Sequence, residues 1–168
     1  MSVSMGVRRE RLTGRLSVPL PPAQAFQLFT PLGERDWAPD WRPRFPVETV
    51  DDSDPGTAFE TDAHGPVRTW LVVERQPGHR IRYASFTPGN RVSLITVELA
   101  PTPSGSEVTV TYDITALSEA GARELVHFAQ GYTHYLDSWQ ELIAASIRDR
   151  APAADDRRPG LRKSASRG

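Results

Sequence analysis

Residues 118–150, "SEAGARELVHFAQGYTHYLDSWQELIAASIRDR", change the period of the chain and so decide its fold. Ser118 suits a helix N-cap, and Glu119 follows where the first turn favours negative charge. Leu125, Phe128, Ala129, Tyr132, Leu136, Trp139, Ile143 and Ile147 recur at spacings of three and four. His127, Gln130, His134, Asp137 and Glu141 fall on the other side. That pattern predicts one long amphipathic helix. Its aromatic stripe must cover something large and apolar.

Upstream, the period is two. "TAFETD", "VRTWLVVER", "RIRYASF", "RVSLITVELA" and "EVTVTYDIT" are separated by "HGP", "QPGH", "TPGN" and "PTPSGS". Gly- and Pro-bearing turns at such short intervals predict antiparallel hairpins between sequence neighbours. Residues 8–18, "RRERLTGRLSV", set Leu12, Gly14, Leu16 and Val18 against Arg9, Arg11, Thr13 and Arg15, a half-buried strand. "PLPPAQAFQLFT" follows, with paired prolines suited to a first helical turn and a short stripe of Ala23, Phe26 and Leu28/Phe29, stopped by Pro31 and Gly33.

Parity along each strand then selects the inward side chains. With Glu98, Glu107, Thr109, Thr111 and Asp113 outward, Ser93, Ile95, Val97, Leu99, Val108, Val110, Tyr112 and Ile114 point inward. Ile81, Tyr83 and Ser85 do likewise, opposite Arg80 and Arg82. For "VRTWLVVER", Arg68 and Glu74 share a side with Trp70, which places Leu71 inward. Trp70, Val72, Val92 and Leu94 would then form an apolar patch on the outer side, a surface suited to a homodimer.

Length and composition agree with a single domain: 168 residues, 38% apolar and 24% charged. The absence of cysteine excludes disulfides, thiolate nucleophiles and Cys-ligated metals. The net charge of −1 is unevenly spread: four Arg oppose Glu10 in residues 1–15, and five Lys/Arg oppose Asp155 and Asp156 in residues 151–168. The body between is acidic, which argues against a nucleic-acid partner. Residues 1–7 are expected to be flexible, residues 8–150 to form the domain, and the basic tail 151–168 to be disordered for want of apolar side chains. The N-terminus has no apolar stretch after its basic residues, and no run approaches ~18 apolar residues, so no membrane insertion and a cytoplasmic location are expected.

The order of strand, short helices, meander and long C-terminal helix is that of an α+β helix-grip fold. With "FTPLGERDWAPDW" (29–41), "YASFTPGNR" (83–91) and "VTVTYDITALSEAG" (108–121), the chain resembles the START-like or SRPBCC superfamily, in its bacterial polyketide-cyclase/dehydrase-like branch. The resemblance spans about residues 8–148. It implies a curved antiparallel sheet of about seven strands wrapped around the last helix, with a cavity between them. It also implies that Trp37 and Trp41 wall or cap the cavity mouth; the structural alternative is that they plug the end of the core.

The expected lining is Trp37, Trp41, Phe59, Leu71, Tyr83, Ile95, Tyr112, Phe128, Tyr132 and Trp139. It is apolar and aromatic, with a few hydroxyls, and suits a small hydrophobic molecule. Tyr83 and Tyr112 are the candidates for orienting or protonating a carbonyl; their structural alternative is a half-buried strand tyrosine. Glu34, Arg35, Asp36 and Asp40 could supply an acid or base beside the two Trp, or form a solvated charge cluster. His64 and His79 sit in turns, and His127 and His134 lack zinc-ligand spacing, so no metal and no cofactor are expected. Three functions follow in order: a binder of a lipid- or polyketide-like molecule, a cyclase or dehydratase acting by substrate positioning, and a protein-interaction module.

Overall fold

The computed structural model describes residues 8–63 and 65–150. The N-terminal segment 1–7, His64 and the tail 151–168 lie outside the described residues, and so do the expectations of flexibility, turn placement and disorder attached to them. One antiparallel sheet holds β1 (Arg9–Val18), β2 (Ala58–Thr61), β3 (Arg68–Gln76), β4 (Arg80–Thr87), β5 (Arg91–Thr102) and β6 (Gly105–Ala116), in the order β1-β6-β5-β4-β3-β2. After β1 the chain crosses through α1 (Pro22–Ala25) and two 3-10 turns to the far edge. It then returns strand by strand until β6 meets β1. Helices α2 (Glu119–Gln130) and α3 (Tyr132–Arg150) close the chain. This is the expected α+β helix-grip architecture.

The sheet has six strands rather than seven. Between the second 3-10 turn and β2 the chain forms no further strand among the described residues, only an isolated bridge from Arg44 to Glu60. Pro43, Pro46 and Pro55 remove ladder donors there, and acidic turn residues fill the rest. The C-terminal helix is likewise two helices, parted at Gly131, which caps α2 outside helical geometry. Tyr135 N–H bonds back to Gly131 O at 2.9 Å, so α3 resumes at once.

The apolar stripe of these helices therefore divides in two. Leu125, Tyr132, Leu136 and Ile143 are buried, and α3 packs most extensively against β1. Gly14 permits that approach: a Cβ there would stand 2.5 Å from Leu136 Cδ1 and 3.3 Å from Tyr132 Cε1. Phe128, Tyr135 and Leu142 are only partly buried, and they face a cavity instead.

Strands β4, β5 and β6 bury the side chains that parity selects, from Ile81 and Tyr83 to Ile114. Strand β3 reverses the expectation. Trp70 and Val72 are buried and Leu71 is 40% exposed. A bulge between Val72 and Glu74 shifts the register, pairing Val72 with Tyr83 but Glu74 with Arg82. Glu74 thus lies on the outer side, where it pairs with Arg80 and Arg82, and its parity says nothing about Trp70. Of the expected outer patch, Trp70 and Val72 face inward instead, while Val92 and Leu94 lie on the outer side. The exposed apolar side chains on that surface include Leu71, Val73, Phe86 and Val92.

Candidate functional site

The crossover after α1 builds the site. Thr30 Oγ1 donates to Gln27 O and accepts from Gly33 N–H, and Asp52 accepts from Leu32 N–H at 2.7 Å. The turn so fixed supplies two carbonyl acceptors. Trp37 Nε1 donates to Leu28 O at 2.8 Å, and Trp41 Nε1 donates to Pro31 O at 2.7 Å. Each indole is held by its polar edge while its rings reach other aromatics, Trp37 against Phe29 and Trp139, Trp41 against Phe59 and Trp70.

Between this segment, the sheet and the last helices lies a cavity of about 580 Å³. Of the expected residues, Trp37, Trp41, Phe59, Tyr83, Ile95, Tyr112, Phe128 and Trp139 line it. Two do not. Leu71 points to the opposite side of the sheet, and its place is taken by Trp70, which stacks on Phe59 at 5.8 Å with parallel planes and donates to Thr61 Oγ1. Tyr132 is buried in the seam with β6, where its hydroxyl donates to Val110 O, and Tyr135 one turn on faces the cavity. All four tryptophans of the chain meet at this one space.

The polar residues of the wall have distinct states. Tyr83 donates its hydroxyl to Phe29 O at 2.6 Å, so its proton is already engaged. Burial raises the Tyr83 and Tyr112 hydroxyls well above the usual phenol range, which keeps both protonated donors. Glu34, on the second 3-10 turn, is only partly covered because the cavity itself reaches it. Among the described residues its carboxyl has no ion-pair partner. Burial pushes its pKa up to about 8, leaving it mostly protonated at neutral pH.

Arg68 opens β3 on the same side as Trp70. Its guanidinium stands 5.6 Å from the Trp70 ring centroid, and its Nε donates to Thr87 Oγ1 at 3.3 Å. Arg91, at the start of β5, also lines the cavity but is paired with Glu124 at 3.0 Å. These two arginines, with Pro39, Asp40, Trp41 and Trp70, continue into an outer, more polar recess that also contains Asn90 and Glu124. Asp40 holds φ at 60°, a left-handed backbone that Asp tolerates better than most residues. The mouth is therefore polar and the interior aromatic.

Sequence parity missed Arg68 and Trp70 by treating charge as an outward marker. Ser93 and Val97 are where parity places them, and Glu34 belongs to the charge cluster singled out beside the tryptophans. Tyr135, Ser138 and Leu142 were legible in part, since Phe128, Tyr135 and Leu142 recur every seven residues. Among the described residues, no group of three or more His, Asp or Glu is disposed to hold a metal, and no helix is long and apolar enough to cross a membrane.

Three comparisons place this geometry. The sequence profile of the family described as "Polyketide cyclase / dehydrase and lipid transport" matches residues 9–139. No curated protein matches the chain at a significant level. Solved structures share the fold at low identity. A protein of Rhizobium leguminosarum superposes with a TM-score of 0.59 at 19% identity, covering 83% of this chain and 97% of its own. CalU16 from Micromonospora echinospora gives 0.53 at 16%, covering 84% and 90%. DynU16, a protein of the dynemicin biosynthetic locus, gives 0.55 at 15%, covering 80% of this chain and 47% of its own.

Proposed function

The chain belongs to the polyketide cyclase/dehydrase and lipid transport family, and from that premise we propose that it binds a small hydrophobic, polyketide-like or aromatic molecule between the sheet and the last two helices. The observation that carries this reading is the cavity of about 580 Å³, walled by four tryptophans and several tyrosines and phenylalanines. Its size falls within the roughly 300–1,000 Å³ typical of ligand pockets, and its lining pairs apolar area with a few fixed donors. For a ligand of about 20 heavy atoms, an efficiency near −0.3 kcal/mol per atom corresponds to a Kd of tens of micromolar. Such ligands should quench Trp fluorescence. Trp41→Ala should weaken binding by about 1–3 kcal/mol, since that ring packs edge-on to Phe59 and Trp70 at the mouth. An unchanged Kd in that variant would remove Trp41 from the site.

A second reading, a cyclase or dehydratase, is favoured by one observation: an acid, Glu34, lines the aromatic cavity, where burial pushes its pKa up to about 8. A neutral carboxylic acid with a pKa near the working pH can lend a proton to a carbonyl and take one back. Tyr112→Phe and Glu34→Gln separate the readings. An enzyme using either group loses turnover while keeping affinity, whereas a carrier changes modestly in affinity alone.

A further inference from the structure

Arg68 is an anomaly among the half-buried described arginines. Arg75, Arg80, Arg82 and Arg91 each have a carboxylate within ion-pair distance. No described carboxylate stands within ion-pair distance of Arg68, although it is half-buried and faces the cavity; Glu124 acts on it from farther off and is bonded to Arg91 and Asn90. Its hydrogen bond to Thr87 uses Nε only. The contact with the Trp70 ring orients the guanidinium but does not neutralise it. A desolvated cation without a counter-charge is unfavourable unless something else supplies one. Arg91 adds a second guanidinium nearby, which Glu124 pairs with, and Asp40 lines the same recess. Beyond Arg68 the wall is aromatic, and the acid inside it, Glu34, is mostly neutral at pH 7 and so does not repel an anion.

We infer that the ligand is an amphipathic monoacid, whose carboxylate sits on the Arg68 fork at the mouth and whose aromatic or fatty body lies along Trp70, Phe59 and Tyr112. The inference rests on the hydrophobic-cavity reading above and adds the head group. A carboxylate fits the two parallel N–H vectors of a single guanidinium, with the second arginine beside it. The acid thereby supplies the direct ion-pair partner that Glu124, engaged by Arg91, does not give Arg68.

The test is a matched pair of probes, anthracene-2-carboxylate and its methyl ester, titrated at pH 7 against intrinsic Trp fluorescence. The expected result is that the acid binds at least tenfold more tightly than the ester, the scale of one charge-assisted pair. Arg68→Met, which keeps the apolar stem over Trp70, should bring the two within about twofold by weakening the acid alone, and Arg68→Lys should restore part of the preference. Equal binding of acid and ester by the parent, or an undiminished preference in Arg68→Met, overturns the head-group inference while leaving the cavity reading intact. If neither probe binds, the inference falls, and failure of a fatty acid and its methyl ester as well takes the cavity reading with it. Should Arg68→Met fail to fold, the acid-to-ester ratio of the parent decides alone.

Discussion

Replacing Glu34 by Gln is expected to remove a pH-dependent destabilisation built into the cavity wall. Burial pushes the Glu34 pKa up to about 8 in the folded chain, against the 4.5 of an exposed glutamate. Between those values the folded state binds more protons than the unfolded state, so stability falls as pH rises. At about 1.4 kcal/mol for each pH unit in that window, the loss between pH 5 and 8 is about 3–4 kcal/mol. This is an upper bound, because the cavity is wide enough to admit water beside the carboxylate. Gln has nearly the same shape and does not ionise, so Glu34→Gln should match the parent near pH 5 and exceed it increasingly towards pH 8. For a domain of this size the gap at pH 8 is on the order of 10 °C in Tm. The assay is thermal unfolding of both proteins by circular dichroism from pH 5 to 8.5, where other titrating groups cancel in the difference. A constant difference in Tm across that range would refute the claim that the folded chain holds Glu34 as a neutral acid.

Three further outcomes follow from local geometry. Ser85 Oγ is buried with no hydrogen-bond partner among the described residues, so Ser85→Ala should leave stability unchanged or raise it by about 1 kcal/mol in chemical denaturation; a loss above about 1 kcal/mol would mean that the hydroxyl is satisfied. Gly121→Ala would place a Cβ 2.1 Å from Asn90 O, a backbone atom, and should destabilise by about 1–3 kcal/mol through displacement of the β4–β5 hairpin from α2. Phe59, fully buried between Trp41, Phe45, Trp70 and Tyr83, should lose about 3–5 kcal/mol on truncation to Ala.

Element order and strand parity were legible because both follow from periodicity, and periodicity survives wherever a strand is regular. They failed where it is not. Trp70 and Leu71 exchanged sides because Glu74, used to set the parity, lies beyond a bulge that no local residue signals. Arg68 compounds the error, since a cation kept inside for a cavity breaks the rule that charge faces water. The single stripe of the last helix concealed two faces. Spacing of three and four does not distinguish side chains that meet the sheet, such as Leu136, from those that meet empty space, such as Tyr135. Only the packing of α3 onto β1, permitted by Gly14, separates them. Glu34 was visible as one acid in a cluster of four charges, but its neutral state depends on burial, which composition does not report.

All four tryptophans line the cavity, so a ¹H–¹⁵N correlation spectrum carries four indole N–H resonances that each report on the proposed site. The most direct test is to titrate the labelled protein with a hydrophobic ligand such as anthracene-2-carboxylate and follow those four signals. Binding in the cavity predicts saturable movement of the Trp37, Trp41, Trp70 and Trp139 indole peaks, fitting one Kd of tens of micromolar or tighter. Four indole peaks unmoved at millimolar ligand, across both aromatic and fatty probes, would contradict it.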